Sequence, residues 1–388
     1  MQNFFYSIPT KIAFGKGAVE QLPDFVKEFG TKVLIVYGGG SIKRIGLYDT
    51  VIKLLDNAGI YHTELSGVEP NPRHTTVNKG AEIAKKEGID VVLPIGGGST
   101  IDCAKAIAAA AFYDGDAWDL VEDNSLVTDA LPIISILTLS ATGSEMDYFS
   151  VISNMELNEK KGLDSYLLYP KYSILDPEYT YSVSKYQTAS GTADIMNHIM
   201  EVYFNGVEDT YMQERIMEGL LKTCAHFGPI ACKNPTDYNA RANLMWTASW
   251  AINGFIACGK LGPWPCHAME HQLSAYYDVT HGHGLAIITP VWMEYILSDK
   301  TVDMFASYAH GVFDIPWEDD KYAMAKKAIE FTRNLFEKMG LSLNLRSIGI
   351  EDDLKFVEMA EKAVAAGTDK CYIPLLVDDV VEIYRRCL

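Results

Sequence analysis

Basic residues are in short supply in this chain: 33 Lys and Arg face 51 Asp and Glu, for a formal net charge of −18. That balance excludes nucleic acid and anionic membrane surfaces as expected partners. An anionic cofactor remains compatible only where backbone amides and a few lysines gather locally. Long apolar runs are missing as well. No stretch approaches 18 uninterrupted apolar residues, which predicts no membrane-spanning helix. The opening MQNFFYSIPTKIAFG lacks the basic region and apolar stretch of a signal peptide. The seven cysteines form no CxxC pair and no regular spacing, as expected of reduced thiols in a cytoplasmic protein. Internal repeats, low-complexity tracts, flexible linkers and the dinucleotide fingerprint GxGxxG are absent too.

What is present fits two domains. The 388 residues are 48% hydrophobic and 22% charged, enough for large cores. The first half alternates strand-like and helix-like segments. The apolar runs 33–37 (VLIVY), 91–95 (VVLPI) and 133–139 (IISILTL) read as buried strands. The segments GLYDTVIKLLDNAG, RHTTVNKGAEIAKKEG and STIDCAKAIAAAA between them read as helices. This alternation predicts a parallel sheet covered on both faces. From about Ser184 onward only helical periodicity remains, with Ser184 or Ser190 as a capping residue. A proline break at Asp176-Pro177 marks the change. The expectation is an α/β nucleotide-binding domain over 1–180, Rossmann-like with a parallel sheet, and an all-helical metal-binding domain over 181–388.

Two strands run into glycines: Gly38-Gly39-Gly40-Ser41 after the first run and Gly96-Gly97-Gly98-Ser99 after the second. Glycines ahead of a helix let backbone amides approach a phosphate, and the helix N-terminus adds its positive end. A tight strand-to-helix turn is an equal reading of Gly96–Ser99 taken alone. Asp102 either bonds a ligand or complements the helix dipole. The first loop carries no carboxylate of its own to pair with a ribose hydroxyl, and Lys43 and Arg44 follow it. This pattern favours NADP(H) over NAD(H).

Four of the nine histidines lie within 17 residues: His267, His271, His281 and His283. Upstream, Asp194 and His198 stand four apart, one turn along a common helical face. Asp194, His198, His267 and His281 form a carboxylate and imidazole set suited to a divalent transition metal, with Fe²⁺ or Zn²⁺ favoured. Cys266 points away from His267 on a helix and reads as packing. His283 reads as lying outside the ligand set.

The whole chain resembles the iron-containing (group III) alcohol dehydrogenase family, in its butanol dehydrogenase and aldehyde reductase branch. The resemblance rests on TKIAFGKGA, YGGGSIK, EPNP at Glu69–Pro72, IGGGSTIDCAK, TLSATGSEM at Thr138–Met146, LDP at Leu175–Pro177 and the two metal segments. It implies a dehydroquinate-synthase-like two-domain fold, metal ligation by Asp194, His198, His267 and His281, and a place for His271 beside the metal. Cofactor contacts are implied for Gly38, Gly39, Ser41, Asn71, Gly97, Gly98, Ser99, Asp102, Thr138, Thr142, Asp147 and Lys160. A homodimer is implied as well. Gly39 stands where NAD-preferring relatives carry aspartate. Asp147 departs from the Asn common in near relatives and adds a negative charge.

The expected activity is hydride transfer between NADP(H) and a small primary alcohol or aldehyde, mainly in the reducing direction. His271 either relays the proton or lines the pocket. A dehydroquinate-synthase-type lyase is the main competing reading. Trp264, Pro265, Tyr148 and Phe149, rather than a cluster of cations, weigh against it.

Overall fold

A computed structural model describes all residues from Met1 to Leu388. The chain forms two compact units. One is Ser7–Val183; the other joins Met1–Tyr6 to Ser184–Leu388. The N-terminal six residues therefore go with the helices, a pairing that no local sequence signal announces.

The first unit is built on six parallel strands: β1 (Lys11–Phe14), β2 (Lys32–Val36), β3 (Tyr61–Leu65), β4 (Val91–Gly96), β5 (Ile134–Leu137) and β8 (Tyr172–Leu175). Their spatial order is β1-β8-β5-β4-β2-β3. Residues alternate between two cores, as the two-residue period of a strand requires. Val33 and Ile35 of β2 face one apolar cluster, while Leu34 and Val36 face the other. Helices α1 (Leu22–Lys27), α2 (Ser41–Arg44) and α3 (Leu47–Asn57) follow the early strands. They are joined by α4 (His74–Glu87), α5 (Gly98–Ala110) and α6 (Ala117–Glu122). Both faces are buried, which is why the central strands read as unbroken apolar runs. A polar hairpin, β6 (Phe149–Asn154) with β7 (Glu159–Asp164), pairs antiparallel from Phe149↔Asp164 to Asn154↔Glu159.

The chain leaves β2 for β3 at one edge and returns to β4 on the other side of β2, with Val36 opposite Pro94. Strand order thus reverses between β2 and β4. Ligands of open parallel sheets bind at such a reversal, outside the carboxyl ends of the strands. Both glycine loops begin at those two carboxyl ends.

The second unit contains α7 (Lys185–Tyr203), α8 (Tyr211–Lys233), α9 (Tyr238–Ile252), α10 (Pro265–Tyr277) and α11 (His281–Ile296). It continues with α12 (Val302–Phe313), α13 (Lys321–Met339), α14 (Phe356–Ala365) and α15 (Val377–Arg386). Ser184 caps α7, its hydroxyl accepting the Gln187 N–H at 3.1 Å. Ser190 lies buried within the helix. From Thr188 onward α7 is buried on every side, so it is the central helix and its polar side chains are interior ones. Two glycines let α11 come close. A Cβ at Gly282 would fall 2.0 Å from the Ser190 carbonyl oxygen, and one at Gly284 would fall 2.9 Å from Glu270 Cγ.

Candidate active site

Asp194 and His198 lie one turn apart on α7, His267 lies in the first turn of α10, and His281 opens α11. Helix α7 and the later, consecutive pair α10 and α11 thus converge on one point. Around Asp194 Oδ1, the Nε2 atoms lie at 3.4 Å for His198, 3.6 Å for His281 and 3.9 Å for His267. Donors bound tetrahedrally at about 2.1 Å stand about 3.4 Å apart, and these three separations from Asp194 are close to that spacing. Ligand atoms of Asp194, His267 and His281 all lie within 4.8 Å of one another and suit a divalent cation; His198 lies outside that group. Burial, and secondarily the nearby His267, hold the His198 imidazole well below its ordinary pKa and so in the neutral, ligating form. The His198 and His267 rings stack at 4.9 Å, and Trp264 packs against both.

Two carboxylates that the ligand pattern leaves out stand behind these rings. Glu201 pairs with His267 Nδ1, and Glu270 pairs with His281 Nδ1. Glu201 also accepts the backbone N–H groups of Cys266 and His267 at the start of α10. Burial pushes the Glu201 carboxyl up to about 8, against the pull of those two donors.

His271 sits one turn beyond His267, its ring centroid 6.0 Å from His267 and 5.5 Å from His281. It is half-buried, and its donor atom groups with those of Glu270 and His281. His283 points elsewhere: Nδ1 meets the Tyr186 hydroxyl at 3.0 Å and Nε2 the Ser342 carbonyl at 2.8 Å. Cys266 is buried beside Asn197 and Thr289, away from the ligand atoms.

In the α/β unit the two glycine loops differ. The second is closely packed. A Cβ on Gly98 would fall 2.1 Å from Thr142 Oγ1, and one on Gly97 would fall 3.1 Å from Leu139 Cβ. Helix α5 starts at Gly98, so its positive N-terminal end faces the loop. Thr138, which donates its N–H to the Gly96 carbonyl at 2.9 Å, follows β5. The Ser99 hydroxyl donates to the Pro70 carbonyl, beside the buried Asn71. The first loop is open. Gly40 takes φ +84°, and no atom lies within 4 Å of a Cβ built on Gly39 or Gly40. Ser41 is exposed there. Lys160 is buried in β7.

The charge at the first loop differs from the sequence expectation. Glu64, on neighbouring β3, accepts hydrogen bonds from the Tyr37 and Tyr48 hydroxyls at 3.0 and 2.8 Å. Its carboxylate stands 3.8 Å from Lys43 Nζ. A carboxylate therefore does reach this loop, brought by strand pairing rather than by sequence neighbourhood.

Asp102 and Asp147 lie inside the unit, in one polar network. Asp102 accepts from the Ser144 hydroxyl at 2.6 Å and the Val151 N–H at 3.1 Å. The fully buried Lys105 donates to Ser144 at 2.9 Å, to Asp147 at 2.6 Å and to the Phe149 carbonyl at 2.7 Å. Asp147 also accepts the Phe149 N–H at 2.8 Å. Burial raises both carboxyls, Asp102 to about 6, and Lys105 opposes the rise. The charge added at Asp147 is thus matched by Lys105.

Residues 9–177 match the iron-containing alcohol dehydrogenase model, and residues 188–388 match the C-terminal model of the Fe-containing alcohol dehydrogenase family. The chain is 54% identical to NADH-dependent butanol dehydrogenase A of Clostridium acetobutylicum, covering 100% of both chains. It is 36% identical to the NADPH-dependent aldehyde reductase YqhD of Escherichia coli, covering 90% of each. The crystal structure of NADH-dependent butanol dehydrogenase A from Thermotoga maritima superposes with a TM-score of 0.93 at 40% identity, covering 100% of this chain and 99% of that one. The chain belongs to the iron-containing alcohol dehydrogenase family. It is an oxidoreductase acting on alcohols and aldehydes with a nicotinamide cofactor.

Proposed function

We propose that this protein reduces small aldehydes such as butanal to primary alcohols, using NADPH or NADH and one divalent metal, Fe²⁺ or Zn²⁺. The observation that carries the reading is the convergence of Asp194, His198, His267 and His281, with three Nε2 atoms 3.4–3.9 Å from one carboxylate oxygen. When bound, the dinucleotide supplies the hydride and the metal stabilises negative charge developing on the substrate oxygen. His271 moves the proton between that oxygen and solvent through its imidazole. Trp264, against His198 and His267, gives the centre an apolar wall and excludes water on that side.

Gly38, Gly39 and Ser41 form the open loop toward the adenosine ribose. Asn71, Gly97, Gly98, Ser99, Thr138, Thr142 and Lys160 form the remaining cofactor contacts. Asp102 and Asp147 support this surface from inside through Lys105 rather than touching the cofactor. NADP(H) is favoured by Gly39, which leaves room for a 2′-phosphate, and by Lys43. Glu64 offsets part of that cationic charge, and several relatives are named NADH-dependent. We therefore read the loop as accepting both cofactors. A cytoplasmic homodimer completes the proposal.

The test is oxidation of NADPH and of NADH with butanal, before and after chelation, followed by readdition of Fe²⁺ or Zn²⁺. Chelator-sensitive turnover restored by metal is expected. Full turnover in protein shown to be metal-free would overturn the metal reading, and metal-loaded protein inert with both cofactors would overturn the substrate reading.

A further inference from the structure

The ligand-bearing segments repeat a pattern that ligand counting passes over. His198-Ile199-Met200-Glu201 on α7 and His267-Ala268-Met269-Glu270 on α10 are both His-x-Met-Glu. Three residues on, a helical side chain is displaced one turn along nearly the same face. If the histidine reaches the metal, the glutamate therefore points to the level of a ligand on the adjacent helix. The structure contains that arrangement twice. Glu201 meets Nδ1 of His267, and Glu270 meets Nδ1 of His281, leaving Nε2 of each ring toward Asp194.

Both glutamate side chains are fully buried. Such burial is costly unless donors converge on the carboxylate. Beyond the imidazole, Glu201 takes two backbone N–H groups, and the Ser274 hydroxyl donates to Glu270 at 2.6 Å. Room for Glu270 is made by Gly284 on α11, where any Cβ would lie 2.9 Å from Glu270 Cγ and 3.0 Å from Oε1.

We infer that Glu201 and Glu270 are positioning residues that form a two-rung ladder: Glu201 on α7 orients His267 on α10, and Glu270 on α10 orients His281 on α11. Two of the three ligand-bearing helices, α7 and α10, thus carry the carboxylate that aims the next ligand-bearing helix's imidazole at the metal. His198, at the head of the ladder, has no such carboxylate and is held by stacking on His267 and Trp264. This inference rests on the metal-site reading above. A carboxylate behind a ligating imidazole fixes its tautomer and strengthens its donor nitrogen, and removing such a partner weakens metal affinity about 10- to 100-fold.

The test is Zn²⁺ affinity of the full chain, stripped of metal and titrated against a chelating indicator. The melting temperature of the metal-free protein is measured alongside. Glu201→Gln and Glu270→Gln keep the side-chain shape and replace one carboxyl oxygen by an amide nitrogen. Each is expected to raise the Zn²⁺ Kd about 10- to 100-fold. Gly284→Ala, which touches no ligand, is expected to act in the same direction by displacing Glu270. Should Glu201→Gln fail to fold, Glu270→Gln and Gly284→Ala still test the second rung. His198→Ala separates the two readings. If it loses tight Zn²⁺ while the glutamate variants keep the wild-type Kd, the ladder is overturned and the site stands. If His198→Ala binds as the wild type does, the site itself is wrong. A lowered melting temperature with unchanged Kd would make the glutamates merely structural and overturn the inference.

Discussion

The two units place their chemistry in different parts of the chain. In the α/β unit the proposed cofactor contacts lie largely in backbone at strand ends, where glycines follow β2 and β4 beside a reversal of strand order. In the helical unit the chemistry lies in side chains from three helices, where His267 and His281 are each paired from behind with a buried glutamate. Backbone recognition needs only that a Cβ be absent, so short local sequence suffices. Side-chain recognition needs several helices held at fixed distances, so it depends on packing far along the chain.

The contrast is most easily broken at the ligands. His267→Ala removes one of the four proposed donors and the group held by Glu201, and should lower turnover more than about a thousandfold with loss of bound metal. Metal analysis beside steady-state rates checks this, and an active variant without metal would sink the ligand assignment. Next in size is His271→Ala, expected to retain metal and to slow turnover about a hundredfold, with a changed pH–rate profile. A profile superimposable on wild type would remove His271 from the proton path.

The loops sharpen the comparison at a smaller scale. Gly98→Ala drives a Cβ into Thr142 and should raise the coenzyme KM about tenfold, equivalent to about 1.4 kcal/mol. Gly39→Ala enters open space and should change KM by less than about twofold. Equal effects at both positions would deny that the loops differ.

Asp102 tests the buried network through pH. Folding raises its carboxyl from the ordinary 3.8 to about 6, mainly by burial. A carboxyl raised this way stabilises the native state when protonated, so its contribution is complete below pH 3.8 and is lost as pH rises through 6. Wild type should therefore lose stability relative to Asp102→Asn across that window. Urea midpoints at several pH values measure the difference, and a flat difference would contradict the assignment. A modest effect belongs to Glu64→Gln. Freeing Lys43 at a solvent-exposed pair should raise the NADPH-to-NADH ratio of kcat/KM by about two- to fivefold.

Much of the fold was legible from periodicity. The central strands β2, β4 and β5 are buried on both faces and so appear as apolar runs. Helices α3, α4 and α5 follow glycine-marked starts or stops. The edge strands β1 and β3 and the polar hairpin of β6 and β7 were not legible. An edge residue such as those in Tyr61-His62-Thr63-Glu64-Leu65 has half its surroundings in solvent, and its strand character comes from the neighbouring strand. Helices α10 and α11 have weak signatures because they are buried all round and carry Gly282, Gly284 and Pro290. Glu201 and Glu270 did leave a trace, the repeated His-x-Met-Glu, but nothing local distinguishes a buried bracing glutamate from a solvated one.

By itself, the sequence determined the alternation of the central strands with helices, the two glycine turns and the donor types of the proposed metal site. Those follow from residue chemistry and from periods of two and 3.6 residues. Tertiary structure alone decided which carboxylate backs which imidazole, that Glu64 reaches Lys43, that Lys105 matches Asp147, and that Met1–Tyr6 joins the helices. Each of these pairs groups far apart in sequence or on separate elements, and such pairings exist only once packing has set the distances between them.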